Sequence, residues 1–324
     1  MDKRITKKRL SDLLSYEWVV MIIVSVAIIA FWELAYAIGS VKVSVGQEFK
    51  YYYDQSIIVE EDAELINNLL EYETFSYDVL KLGGEVLYSD NNVLLNRLSI
   101  QEGDVIFTDT LGLNEYQDEQ KTIPKFVRAK YLIDTYDYKI YSIGQMLKDA
   151  TVYAQGFMYE GQPLLKENID PLKIKACFLN RNGKDNRFRK NYEIEQGLEL
   201  ETKRIEKIID NVEFLTEFID NPNNESALFR YTRYEQSYNL AQNKEQYKEL
   251  MEDEVQNDIY GINIGALEGG LNVSKIMYIK GSADGQVKTD NIVLMAFNFL
   301  THQPDLQYES LSFICSTIKA FTTP

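Results

Sequence analysis

Two short polar clusters have the residue types to hold a hydroxylated ligand, Tyr53-Asp54 and Thr108-Asp109-Thr110. The Tyr53 ring can stack on a sugar or cap an apolar ligand. Asp54 and Asp109, with Thr108 and Thr110 beside them, can accept hydrogen bonds from hydroxyls. Each cluster closes a run with strand character, VKVSVGQEFKYYY or VIF, and the carboxyl ends of parallel strands are where α/β proteins place ligand clefts. Turns and helix caps want the same residue types, so both uses stay open for all five.

Covalent chemistry finds less to work with. The chain has no G-x-S-x-G, no P-loop and no H-E-x-x-H. Its single histidine, His302, is followed by Gln303-Pro304, a turn signal rather than the setting of a general base. Cys177 and Cys315 can pair or stay as buried thiols, and their spacing does not choose. Neither a metal site nor a cofactor is expected from this inventory, and the chain reads as non-enzymatic. Carboxylate pairs such as Glu252-Asp253-Glu254 are most simply solvated faces. Arg181 to Lys190 concentrates basic residues in an otherwise acidic chain. It can dock an anion or neutralise neighbouring acidic helices, and the second use is the simpler.

The element that decides the surroundings of these groups is Trp18 to Gly39, WVVMIIVSVAIIAFWELAYAIG. From Trp18 to Trp32 there is no charge, and Glu33 is the only carboxylate in the run. At 1.5 Å per residue it is long enough for a hydrocarbon core of roughly 30 Å, with tryptophans at interfacial positions and Glu33 toward the far headgroups. Lys3, Arg4, Lys7, Lys8 and Arg9 precede it, so residues 1–17 are expected in the cytoplasm, 18–39 in the bilayer, and the rest outside the cell membrane. Cleavage after Ala35-Tyr36-Ala37 is the competing reading, and the length of the basic leader favours a retained anchor. No cysteine lies near enough for a lipid anchor. The formal net charge is −16, all of it contributed after the net-basic leader. Such a surface excludes nucleic acid as a partner.

Beyond the anchor, Val41 to Tyr53 reads as a strand, Glu60 to Glu73 as a helix with Ala63, Ile66, Leu69 and Leu70 on one face, and Phe75 to Leu82 as a strand. A helix follows over Asn91 to Ser99, capped by Ser89-Asp90, and then the apolar strand Val105-Ile106-Phe107. That alternation predicts a parallel sheet covered by helices. Helices are expected around Ile143 to Ala154 and from Asp170-Pro171 to Leu179. Glu193 to Ile219 and Ser226 to Asp258 read as a long antiparallel helical hairpin turning at Asn221-Pro222-Asn223-Asn224. Asn224 and Asn272 open glycosylation-type triplets, which are common by chance.

The stretch from the Glu60 helix through EGDVIFTDT (Glu102 to Thr110) resembles the first lobe of extracellular solute-binding proteins with the type 2 periplasmic-binding fold. YGINIGALEGG (Tyr260 to Gly270) and NIVLMAFNFLTHQPDLQYESLSFICSTIKAFT (Asn291 to Thr322), read as helical, are similar to the late part of sugar-binding members. The resemblance implies a two-lobed α/β domain, with residues 41–130 and 260–324 forming the first lobe and 131–259 a second, mostly helical one. It also implies work with the permease subunits of a carbohydrate ABC transporter, as a tethered sugar receptor or as an accessory that has lost the ligand. The short exported part and the lack of tryptophan after Trp32 favour the accessory. The other reading is an envelope protein whose ectodomain binds another protein.

Overall fold

A computed structural model describes residues 7–8, 11, 18–39, 47–54, 56–60, 62–86, 91–110, 129, 132–133, 139–182, 186–188, 190–232, 257–279, 289–298 and 307–323. The chain divides into two compact units, Met1–Lys42 and Val43–Pro324. In the first, α1 (Trp18–Gly39) is one uninterrupted 22-residue helix. Its side chains are described from Trp18 to Leu34 and are exposed. Those seventeen residues rise only about 25 Å, and among the described residues no helix is long and apolar enough to cross a membrane. The helical backbone to Gly39 extends the rod to about 33 Å.

The second unit is built on a mixed sheet. Its strands are β1 (Glu48–Tyr53), β3 (Lys81–Val86), β4 (Val105–Asp109), β5 (Ile140–Tyr141), β6 (Leu228–Thr232), β7 (Asn257–Asn263) and β9 (Ile292–Phe297), while β2 (Ile57–Val59) and β8 (Met277–Ile279) form a separate antiparallel pair. The main order is β3-β1-β4-β9-β7-β6, with β5 also on β9. β1 runs parallel to β3 and β4, as the strand-helix alternation predicts. β9 then enters antiparallel to β4, β5 and β7, and β7 is antiparallel to β6.

Helices α2 (Asp62–Glu71), α3 (Asn91–Ser99), α4 (Ile143–Gln155), α5 (Pro171–Asn182), α6 (Asn191–Asp220), α7 (Val273–Ile276) and α8 (Gln307–Thr322) complete the described elements. The two-residue strand period sorts the core. Phe49, Tyr51, Tyr53, Val105, Phe107, Ile292, Leu294 and Ala296 share one apolar cluster with residues of α2, α4, α6 and α8. Tyr52, Ile106, Val293, Met295 and Phe297 belong to the other, with Leu94 and Leu98 of α3. Both sheet faces are therefore buried, and the central strands read as continuous apolar runs.

Several expectations need correction. Asn291 to Phe297 is not helical: IVLMAF is the central strand β9, fully buried along its length, and a short apolar run has no periodicity to separate strand from helix. The second arm of the helical hairpin begins instead as β6, which pairs with β7; residues 233–256 lie outside the described set. The first arm is the 30-residue α6. On α2 the buried positions are Leu65 and Leu69, whereas Leu70 is exposed. Strand character in Phe75 to Leu82 is confined to its last two residues, and β3 continues through Gly83-Gly84. The expected two-lobed division does not sort the strands into separate sheets. β5 and β6 from the expected second lobe join the same sheet as β1 and β4, and residues 43–324 form one unit. β9 causes this, because its ladders bind strands of both supposed lobes. The Val41 end of the first strand, the Ser89-Asp90 cap and His302 lie outside the described residues.

Candidate functional site

The parallel pairing of β1 with β4 brings the two polar clusters to one end of the sheet, with Tyr53 in register with Phe107. The Asp54 backbone amide donates to the Phe107 carbonyl at 2.9 Å. Thr108 Oγ1 donates to Asp54 Oδ2 at 2.9 Å, and the other carboxylate oxygen accepts from the Ser56 amide at 3.2 Å. This is an Asx turn at Asp54 locked by the neighbouring strand. Thr110 donates its amide to the Asn291 carbonyl at 2.9 Å and its hydroxyl to Asn291 Oδ1 at 3.1 Å, so it closes the β4 to β9 ladder.

Exposure bears on both uses of these residues. Tyr53 and Asp54 are 1% exposed, and Thr108 and Asp109 are 0% exposed. The Tyr53 ring stacks on Phe107 at a centroid distance of 5.0 Å. Only Thr110 is half-buried. The cluster assembles as the topology requires, but inside the protein, and the side chains of Asp54, Thr108 and Thr110 bond within the fold, while the Tyr53 hydroxyl and Asp109 Oδ2 are buried away from solvent.

A second polar cluster was not foreseen as a unit. It joins the segment before β3 to α5 and α6. Arg181 pairs with Asp78 and, at 2.9 Å, with Glu201. Arg187 donates to the Tyr77 carbonyl at 2.7 Å and lies 3.6 Å from Asp78. The Tyr77 hydroxyl donates to Glu201 at 2.6 Å and accepts from Arg181 at 2.8 Å. Arg204 meets Glu201 at 3.0 Å and also donates to the Tyr153 hydroxyl. Two members of the basic run thus neutralise acidic neighbours, the simpler of its two uses. The run itself was the available signal. Its partners Asp78 and Glu201 are 123 positions apart in the sequence, and no local pattern links them.

The electrostatics favour a structural staple over acid-base work. Burial pushes Glu201 up, but Arg204, Arg181 and the Tyr77 hydroxyl outweigh it and hold the carboxyl below its ordinary value. Burial raises Asp78 against the pull of Arg181. It also drives Tyr77 far up, so the phenol keeps its proton. Breaking one member of such a buried set costs roughly 3–5 kcal/mol, because the remaining charge loses its partner. Elsewhere, burial lifts the Cys315 thiol to about 12, which removes it as a nucleophile near neutral pH. No disulfide joins Cys177 and Cys315. Among the described residues no group of His, Cys, Asp and Glu is arranged to hold a metal ion.

Comparison with known proteins leaves the chain to its own geometry: no family model, no curated protein and no solved structure matches it.

Proposed function

We propose that this protein is a membrane-tethered, non-enzymatic component of an envelope assembly, with its amino terminus in the cytoplasm and residues 43–324 outside. It works by binding another membrane protein. The sequence resemblance points to the permease subunits of a carbohydrate ABC transporter as that partner, with this chain as an accessory that does not hold the sugar itself. The observation that supports the accessory reading is the interior position of Tyr53, Asp54, Thr108 and Asp109, with Thr108 bonded to Asp54 and the Tyr53 ring stacked on Phe107. The tether is supported by α1, whose described side chains are exposed and apolar except Ser25 and Glu33. A helix apolar on every side needs lipid or protein around it, and the basic leader sets its orientation.

Thermal melting of the full chain in detergent against a panel of sugars tests the absence of ligand. A receptor at a hundredfold excess over Kd gains about 2.7 kcal/mol. The expected result is no shift for any sugar, together with co-isolation of ABC permease subunits from native membranes. A saturable rise in melting temperature with one sugar makes the chain a receptor and overturns the accessory reading.

A further inference from the structure

β3 ends the main sheet, and among the described residues no strand lies on its outer side. Lys81, Gly84 and Glu85 are exposed there. Proline or a bulge commonly blunts such an edge, but KLGGEV has no proline and its register with β1 is unbroken. The ladder decides which backbone groups the edge offers. On β1 the Lys50 amide goes to Asp104 Oδ2 at 2.7 Å, the Lys50 carbonyl takes the Asp104 amide at 2.8 Å, and the Asp54 amide goes to Phe107. Even-numbered β1 residues therefore face β4, and Phe49, Tyr51 and Tyr53 face β3. In the parallel register their bonds fall to Lys81, Gly83 and Glu85. The N–H and C=O groups of Leu82 and Gly84 then point outward.

An inverted copy of the same strand fits this edge when Gly83 lies opposite Gly83. Leu82 then faces Gly84 of the second copy in pairs that exchange both backbone bonds. Lys81 falls opposite Glu85, and Glu85 opposite Lys81, in the non-hydrogen-bonded pairs where side chains approach most closely. Sliding the copies by a single residue sets an outward group against an inward one, and a longer slide separates both charge pairs. The side chains of Lys81 and Glu85 are 59% and 46% exposed, and inside the chain they meet Glu48 and Arg97. Across the seam the charges would alternate as Glu48, Lys81, Glu85 and Arg97. Gly83 and Gly84 place no side chain between the copies.

We propose that β3 is a dimerisation edge: two copies of this chain pair their β3 strands antiparallel about a two-fold axis at Gly83, joining their sheets into one. This rests on the body alone and not on the tethered reading.

The test follows the association of full-length chains in detergent micelles by sedimentation and by energy transfer between labelled copies. K81E sets like charges against each other at both ends of the seam, as does E85K. Each should raise the dimer dissociation constant about tenfold. Mixed together, the two variants meet with opposite charges at both places, so donor-labelled K81E and acceptor-labelled E85K should pair with the affinity of the native chain. Gly83→Cys gives a second readout. A Cβ at Gly83 has its nearest neighbour, Glu48 Oε1, at 3.4 Å, so the side chain fits. Mild oxidation should link two such chains through Cys at this position, while the native chain stays unlinked. A native chain that sediments as a monomer at every concentration overturns the proposal. So does a dimer that K81E and E85K leave unchanged, a mixture that associates no better than either variant alone, or a Gly83→Cys chain that yields no linked species.

Discussion

At the entry to β4 the Asp104 carboxylate accepts the Lys50 backbone amide at 2.7 Å, and the Asp104 carbonyl accepts the Phe297 amide at 2.9 Å, so one residue ties β1 to β9. Asp104 keeps a little accessible surface, yet packing around it raises its pKa to about 7. Burial is the main cause. Glu309 on α8 and Glu48 on β1 add to it, while the backbone hydrogen bond and the charge of Lys50 oppose it. The folded state holds this proton more tightly than the unfolded chain. The stability it contributes is therefore fully present below about pH 4 and is lost as pH rises through about 7. Glu309, also raised by burial, acts in the same direction. Glu201, held below its ordinary value, contributes stability that is lost as pH falls. Asp104→Asn keeps an acceptor for Lys50 without the charge. Melting curves should place this variant above the native chain at about pH 8, with the gap closing toward about pH 4. An unchanged gap across that range would assign the dependence to another group.

The ends of α2 and α3 show how a helix is stopped without glycine. Thr74 N bonds the Leu69 carbonyl and Glu73 N that of Leu70, while Glu102 N bonds Arg97 and Gln101 N bonds Leu98. This is the paired pattern of a Schellman cap, and it puts Glu73 at φ 49° and Gln101 at φ 57°. The first cap is reinforced by Lys207, whose ammonium donates to the Glu73 carbonyl, a cation at the negative end of the helix. At Gln101 a side chain sits where glycine costs nothing. Gln101→Gly should stabilise the fold by about 0.5–1 kcal/mol and Gln101→Val should destabilise it, read as the shift in urea midpoint at unchanged m-value. Gly103, two residues on and at φ 113°, is different. A Cβ there would lie 2.2 Å from the Tyr52 ring, so the turn into β4 needs glycine for space as well as for conformation.

On the scale of the molecule, β9 joins the parallel strands near the amino end of the body to the antiparallel strands near its carboxyl end, and apolar clusters cover both of its faces. A body with that connection should unfold as one cooperative transition by calorimetry, the calorimetric and van't Hoff enthalpies agreeing. Two separable transitions would instead divide the body into two cooperative lobes.

What residue order determined was local. The apolar run of α1, the helices α2, α3, α4, α5 and the long α6, and the Asp170-Pro171 start of α5 all follow from periodicity and capping chemistry carried within a few residues. The adjacency of Tyr53-Asp54 to Thr108-Asp109-Thr110 followed from strand and helix alternation. Tertiary structure decided the rest. IVLMAF became the central strand because β4 and β7 were there to receive its backbone groups. The start of the supposed hairpin arm became β6 because β7 supplied its ladder. The polar strand ends became interior turns because Phe107 and the surrounding core closed over them. Burial depends on neighbours distant in the chain, and at Asp54 a carboxylate that binds a ligand and one that closes a turn are written with the same letters.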